Sequence, residues 1–148
     1  MLERWLNPMK VSSFTRDYLR TQPYASPSSA SRAMPIFSWD TLDQLLARNP
    51  PDVLVVARGK MLELPIPKNL SEALDLLTSG AGLVIRRAEK VDDGVAGLAA
   101  SVTQHIPGDV HVQLIVTPAG TYGFGWHYDD EDVFIVQTEG SKDYFFRD

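Results

Sequence analysis

Two side chains in the last quarter of the sequence, His127 and Asp129, could hold a metal ion together. If the backbone is extended there, residues two positions apart project to the same face, so the imidazole and the carboxylate can converge on one ion. One histidine with one carboxylate suits a divalent iron-type centre. The pair alone is weak evidence, because a chain of this composition contains a His-x-Asp by chance about one time in four.

A third candidate residue, Lys142, stands in a pattern typical of a β-hairpin. Residues 133–138 begin with a β-branched and aromatic run, and residues 142–146 resume an extended aromatic pattern. If Glu139-Gly140 forms a two-residue turn between them, Lys142 lies opposite Gln137 and its ammonium points inward. A buried ammonium is costly without an anion. Lys142 therefore either extends back to solvent or has an anionic partner such as a ligand carboxylate.

The surrounding residues form a longer pattern that can be compared with known families. Its members are Thr117-Pro118-Ala119-Gly120, Gly123, His127-Tyr128-Asp129-Asp130, Val133-Phe134-Ile135, Gln137, Glu139-Gly140 and Lys142. This pattern resembles the JmjC/cupin-type Fe(II)- and 2-oxoglutarate-dependent oxygenases, in particular their ribosomal-oxygenase-like branch. The strong part of the resemblance covers about residues 113–142. A weaker part adds Phe14, Tyr18 and Pro23 near the N-terminus.

The resemblance implies a function and a role for each candidate residue. His127 and Asp129 correspond to the family's iron-binding His-x-Asp, and Lys142 corresponds to the basic residue that binds the distal carboxylate of 2-oxoglutarate. The implied activity is that of an Fe(II)/2-oxoglutarate-dependent hydroxylase, a dioxygenase. Its implied substrate is a protein or another macromolecule.

The sequence also departs from the family pattern. The family's second iron-binding histidine lies several strands after His-x-Asp, yet no histidine follows His127. His105 and His111 precede the motif and are not assigned to that role. Ile115 stands where some relatives carry a tyrosine that holds 2-oxoglutarate. We therefore predict that this chain alone is inactive. The alternative reading is a non-catalytic cupin-like binding module or an inactive fragment.

Composition and charge narrow the functional class further. The 148 residues are 44% hydrophobic and 22% charged, with a formal net charge of −5 and a pI of about 5.1. No run of lysine or arginine exceeds a pair, so no nucleic-acid footprint is expected. There is no cysteine, no secretory signal in residues 1–20 and no apolar run of membrane-spanning length. These features predict a cytoplasmic protein that is not membrane-bound.

Local patterns predict a short series of elements. Residues 1–35 read as an N-terminal arm with a Ser/Pro-rich loop at 25–35, and residues 36–148 read as the N-terminal part of a JmjC/cupin-like domain. Helices are predicted at 40–48, at 71–77 with Ser71 as the N-cap, and at 92–104; strands are predicted at 53–57, 82–86 and 111–117, besides the hairpin.

The predicted fold class is mostly β with flanking helices (α+β), a partial double-stranded β-helix of the jelly-roll or cupin type. The strands predicted are fewer than the eight that a jelly roll contains. We therefore expect a truncated barrel, and its open strand edges require either a missing C-terminal half or an oligomeric partner.

Overall fold

A computed structural model describes residues 2–29, 37–50 and 52–146. The chain divides into two compact units. One unit, here called the sheet unit, consists of residues 38–128, and the other, here called the arm unit, consists of residues 1–37 and 129–148. His127 belongs to the sheet unit, whereas Asp129 and Lys142 belong to the arm unit.

The sheet unit contains four antiparallel strands. They are β1 (Val53–Ala57), β2 (Lys60–Leu62), β3 (Gly82–Ile85) and β4 (Leu114–Val116), in the spatial order β2-β1-β3-β4. The register places Val55 opposite both Leu62 of β2 and Leu83 of β3, and Leu83 opposite Val116 of β4. All four residues of β3 are buried, which accounts for its unbroken apolar sequence. The strands predicted around residues 53–57, 82–86 and 111–117 are confirmed, and β2 is an addition.

Three helices accompany the sheet: α3 (Trp39–Ala47), α4 (Leu70–Thr78) and α5 (Asp93–Thr103). Ser38 begins α3 with a capping box that it shares with Thr41, and the Asp92 side chain accepts from the Val95 amide to begin α5. Their apolar faces supply much of the buried core, which includes Leu42, Leu45, Leu46, Val95, Leu98 and Val102. A 3-10 turn at Ala88–Lys90 precedes α5.

Helix α4 begins two residues earlier than its predicted cap allows. Asn69, not Ser71, is the N-cap, because its side chain accepts a hydrogen bond of 3.0 Å from the Glu72 amide. The Asp43 carboxylate of α3 accepts a hydrogen bond of 2.6 Å from the Leu70 amide. Ser71 therefore lies inside the helix. The prediction that Ser71 caps α4 is wrong. The side chain of Asn69, two residues earlier, accepts the hydrogen bond from a first-turn amide that has no partner within the helix.

The cap assignment gives a measurable expectation for stability. Replacing Asn69 by alanine should lower the free energy of unfolding by about 1 kcal/mol, because a donor at the start of α4 loses its acceptor. Ser71→Ala is the matched control, and it should leave stability within about 0.5 kcal/mol of the unmodified chain because the exposed hydroxyl caps nothing. Urea denaturation followed by circular dichroism measures both. Equal losses in the two variants would contradict the assignment.

The arm unit is built around aromatic side chains. It contains α1 (Leu2–Leu6) and α2 (Val11–Asp17). Phe14 is buried, and its ring centroid lies 5.6 Å from that of Tyr24 and 5.9 Å from that of Phe134. Tyr18 stacks on Phe14 at 6.3 Å. The predicted Ser/Pro-rich loop at 25–35 falls partly outside the described residues, which omit 30–36.

The described residues differ from the predicted fold class in one respect. An antiparallel sheet with accompanying helices is present, but more residues are helical than are in strands, so the description "mostly β" is wrong for this part of the chain. Part of the difference comes from residues 133–138 and 142–146, neither of which forms a strand. None of the helices in the described ranges has the length and apolar character needed to span a bilayer.

Candidate metal and co-substrate site

The imidazole of His127 contacts the backbone two residues earlier in the chain. Its Nδ1 lies 2.8 Å from the carbonyl oxygen of Gly125. A carbonyl oxygen only accepts hydrogen bonds, so Nδ1 must carry the proton and the lone pair of the neutral ring lies on Nε2. The ring also meets Phe124 edge to face, with 5.9 Å between the centroids. His127 is thus an exposed histidine in the tautomer that ligates metals through Nε2.

The segment before His127 is attached to the hairpin turn between β1 and β2. Arg58 and Gly59 form that turn with φ of +50° and +74°, the positive values that a two-residue type I′ turn requires. The Gly59 amide donates a hydrogen bond of 2.7 Å to the Gly123 carbonyl oxygen. A Cβ at Gly59 would lie 3.3 Å from the Gly125 nitrogen. The turn and the residues leading to His127 are therefore in close contact.

Strand β4 precedes the segment that leads to His127. A Cβ at Gly82 of β3 would lie 2.6 Å from the Val116 carbonyl oxygen, so only glycine allows β4 to approach this closely. The chain then turns at Gly120, where φ is +70°, and Thr121 Oγ1 donates to the Pro118 carbonyl oxygen at 2.8 Å. The Thr-Pro-Ala-Gly part of the sequence pattern is this turn.

Asp129 begins the C-terminal part of the arm unit and is exposed. The acidic residues after it, 130–132, are exposed as well. One of them has a specific partner, since the Asp132 carboxylate forms an ion pair of 2.9 Å with Arg20. Together with the Phe14 to Phe134 contact, this pair attaches the stretch after Asp129 to the N-terminal arm.

Lys142 is half-buried in the arm unit. Its ammonium lies 5.8 Å from the centroid of the Tyr144 ring, a distance typical of a cation–π contact. Partial burial raises the pKa of the Tyr144 hydroxyl, so this ring stays neutral at physiological pH. The side chain is thus placed against an aromatic surface.

The hairpin predicted around Lys142 is only partly present. Gly140 has a φ of +68°, and Gln137 Nε2 donates to the Glu139 carbonyl oxygen at 2.7 Å, so the chain turns where expected. No strand ladder joins 133–138 to 142–146, and the predicted pairing is not observed. The inward orientation of Lys142 beside the metal ligands remains a prediction.

Of the two upstream histidines, His111 has a carboxylate neighbour. His111 Nδ1 lies 3.5 Å from a Glu89 carboxylate oxygen, and Glu89 also accepts from the Val112 amide. Within residues 2–29, 37–50 and 52–146, no group of three histidine, cysteine or acidic side chains is arranged to hold a metal ion. The described chain thus offers His127 and Asp129 as candidate ligands, two residues apart in sequence, without a third.

Two contributors to this region were missed by sequence reasoning. The Arg58-Gly59 turn carried a partial signal, because an X-Gly pair directly after a short apolar run is compatible with a two-residue hairpin. The Arg20 to Asp132 ion pair carried none, because its members are 112 residues apart and are both common surface residues.

Comparison with known proteins shows which proteins this part of the chain resembles. Residues 92–146 match the JmjC domain, and that range contains His127, Asp129 and Lys142. Beyond that range, the chain is similar to NO66 and ribosomal oxygenase proteins. The resemblance inferred from the motif is confirmed, although sequence identities are low. A JmjC domain implies a cupin jelly roll, and the antiparallel sheet of the sheet unit agrees with part of one.

Several JmjC relatives match over different lengths. The bifunctional lysine-specific demethylase and histidyl-hydroxylase NO66 of Dictyostelium discoideum is 35% identical over 65 residues, which are 44% of this chain and 13% of that protein. NO66 of Drosophila erecta is 25% identical over 154 residues, covering 96% of this chain and 23% of its own. Ribosomal oxygenase 1 of Danio rerio is 26% identical over 151 residues, covering 95% and 28%. This JmjC-like chain therefore spans less than a third of the length of each of these relatives.

Proposed function

We propose that this chain carries part of the active site of an Fe(II)- and 2-oxoglutarate-dependent hydroxylase. The observation that carries the proposal is the JmjC match over residues 92–146, which includes the His127-x-Asp129 pair and Lys142. JmjC oxygenases use Fe(II) and 2-oxoglutarate, and the tautomer of His127 suits the metal role.

The two candidate donors, His127 and Asp129, are of the types that bind a divalent iron-type ion. His127 would ligate through Nε2 and Asp129 through its carboxylate, one nitrogen and one oxygen of the kind found in the 2-His-1-carboxylate triad. Bound iron would supply the activation of dioxygen, with one oxygen atom used in the oxidative decarboxylation of 2-oxoglutarate to succinate and carbon dioxide and the other in hydroxylation of a substrate C–H bond. The residues of this chain would hold the ion and keep its remaining positions accessible. We propose that a third ligand comes from residues outside this sequence.

Lys142 is proposed to bind the distal carboxylate of 2-oxoglutarate. The half-buried position of its side chain supports this role, because an ammonium that is partly withdrawn from water gains more from an anionic partner than an exposed one does. The Tyr144 ring beside it is neutral and therefore does not neutralise the ammonium.

The substrate is proposed to be a protein. The NO66 relatives are named as a lysine-specific demethylase and histidyl-hydroxylase. In this chain Trp126 and Tyr128, on either side of His127, are 62% and 87% exposed and do not pack in the sheet unit core. Their positions in the sequence suit the rim of a substrate entrance. On the cysteine-free composition, we also propose a cytoplasmic location.

A second candidate function is a non-catalytic cupin-like binding module. The specific observation in its favour is that the described residues contain no group of three metal-binding side chains. Under this alternative, the turn at Gly140 and the aromatic contacts of the arm unit would serve folding or interaction alone.

The experiment that separates the two is an assay of succinate formation. The 148-residue chain is compared with a version extended until it supplies a downstream histidine, both with Fe(II) and 2-oxoglutarate. We expect no turnover by the short chain and turnover by the long one, because only the long chain completes the ligand set and shields the site from water. Robust succinate from the short chain would refute the need for a third ligand. A folded, iron-loaded long chain without turnover would favour the binding module.

Lys142 can be tested in the extended protein. Lys142→Ala should weaken 2-oxoglutarate binding by roughly tenfold or more, because the distal carboxylate loses a charge-assisted hydrogen bond. Metal affinity should change little. Lys90→Ala removes an exposed lysine from the 3-10 turn and serves as the charge control, with no effect expected. Calorimetric titration measures both affinities, and an unchanged 2-oxoglutarate affinity in Lys142→Ala would remove this residue from the site.

A further inference from the structure

The turn between β1 and β2 makes a contact that strand pairing does not require. In a two-residue hairpin, the residues on either side of the turn form the last pair of the strand ladder. Here that pair is Ala57 and Lys60. The Gly59 amide is directed instead to the Gly123 carbonyl oxygen, 2.7 Å away and more than sixty residues later in the chain. The nearest atom to a Cβ built on Gly59 would be the Gly125 nitrogen, at 3.3 Å.

Gly125 is also the residue that orients His127. Its carbonyl oxygen accepts from Nδ1 of that imidazole, which directs the lone pair of the ring to Nε2. A hydrogen bond thus connects Gly59 to Gly123, a Cβ on Gly59 would press on Gly125, and Gly125 contacts His127, all within the sheet unit. A displacement of Gly125 by the turn would change the direction of the carbonyl that selects the tautomer of the histidine.

We propose that Gly59 is a positioning residue for His127: the β1–β2 turn sets the tautomer and direction of the metal-binding imidazole through Gly123 and Gly125. The metal part of this inference rests on the proposed function, whereas the tautomer part does not. Glycine is required on two grounds, the positive φ of the turn and the closeness of Gly125.

The two grounds can be separated by substitution. Asparagine tolerates a positive φ better than other residues with a Cβ, so Gly59→Asn keeps the turn conformation and adds the atom that presses on Gly125. Gly80→Asn is the matched control: Gly80 has a φ of +88° in the α4–β3 turn, and a Cβ there meets nothing within 4 Å. Both variants place asparagine at a positive φ, and only Gly59→Asn adds an atom against the His127 segment.

Two readouts on the 148-residue chain test the proposal. The tautomer of His127 is measured without metal by long-range proton–nitrogen NMR, with its signal assigned by loss in His127→Ala. Affinity for Mn(II) is measured by electron paramagnetic resonance of the unbound ion. We expect Gly59→Asn to shift His127 away from the Nδ1–H tautomer and to weaken Mn(II) binding on the order of tenfold relative to Gly80→Asn. Equal behaviour of the two variants in both readouts would overturn the proposal.

A measurement on the unmodified chain covers the case in which Gly59→Asn does not fold. Hydrogen exchange of the peptide containing Gly59 should slow when Mn(II) is added, because a metal held by His127 restrains the segment to which the Gly59 amide is bonded. Unchanged exchange at saturating Mn(II) would count against the proposal. A chain that binds no Mn(II), yet shows the tautomer shift only in Gly59→Asn, would refute the metal function and support the positioning role.

Discussion

Asp129→Ala and His127→Ala should each reduce Mn(II) binding by the isolated chain below detection. The unmodified chain is expected to bind Mn(II) or Fe(II) weakly, because two protein ligands leave most coordination positions to water. Loss of either one leaves a single ligand, and one side chain on an exposed segment does not hold a divalent ion against hydration. Isothermal titration calorimetry at fixed pH measures the effect directly.

Two control variants remove side chains of the same chemical types as the proposed ligands. Asp130→Ala removes a neighbouring exposed carboxylate, and His111→Ala removes an imidazole whose partner is Glu89. Neither should alter Mn(II) affinity. Tight binding that survives Asp129→Ala, or binding that is lost in His111→Ala, would show that the metal lies elsewhere.

Gly82→Ala should destabilise the sheet unit by about 3 kcal/mol, at the upper end of the usual cost of overpacking a core. The added methyl would lie 2.6 Å from the Val116 carbonyl oxygen, and the clash is with backbone, which cannot move aside without disturbing the β3–β4 ladder. Gly82 is itself buried and paired with Val56 on its other side. Urea denaturation followed by tryptophan fluorescence and circular dichroism gives the free energy of unfolding.

Gly97→Ala is the control for Gly82→Ala, and its expected effect on stability has the opposite sign. Gly97 lies within α5 on its exposed side, and a Cβ there meets nothing within 4 Å. Alanine should therefore stabilise the chain by about 0.5–1 kcal/mol, since glycine loses more backbone entropy in a helix. A loss in Gly82→Ala no greater than about 0.5 kcal/mol would mean that β4 is not held against β3 as closely as described.

Elements with strong local signals were predictable. Strand β1 was predicted with its observed limits, and α3 and α5 within one or two residues, because apolar periodicity and capping side chains act over a few positions. The N-cap of α4 shows the limit of this reasoning. Asn69 and Ser71 are both good capping residues, and only the position of the first helical amides shows which of them accepts a hydrogen bond.

Elements that depend on distant partners were less predictable. Strand β2 has an exposed, mixed sequence, and it is a strand because the Arg58-Gly59 turn folds it against β1. The opposite error occurred at 133–146, where β-branched and aromatic residues favoured a hairpin and no ladder forms. Strand propensity describes side chains that fit a pleated surface, and whether a pairing strand is present depends on the rest of the chain.

The sequence by itself determined the chemical identity of the candidate site, namely a histidine, a carboxylate and a lysine in a JmjC-like order, because ligand chemistry belongs to residue types and their spacing. Only the tertiary structure decided how His127 is oriented. This orientation depends on backbone features that residue types do not predict. They are the carbonyl of Gly125, the amide of Gly59 and the short distance between β4 and Gly82. They depend on contacts between segments far apart in sequence, and such contacts exist only once the sheet has formed.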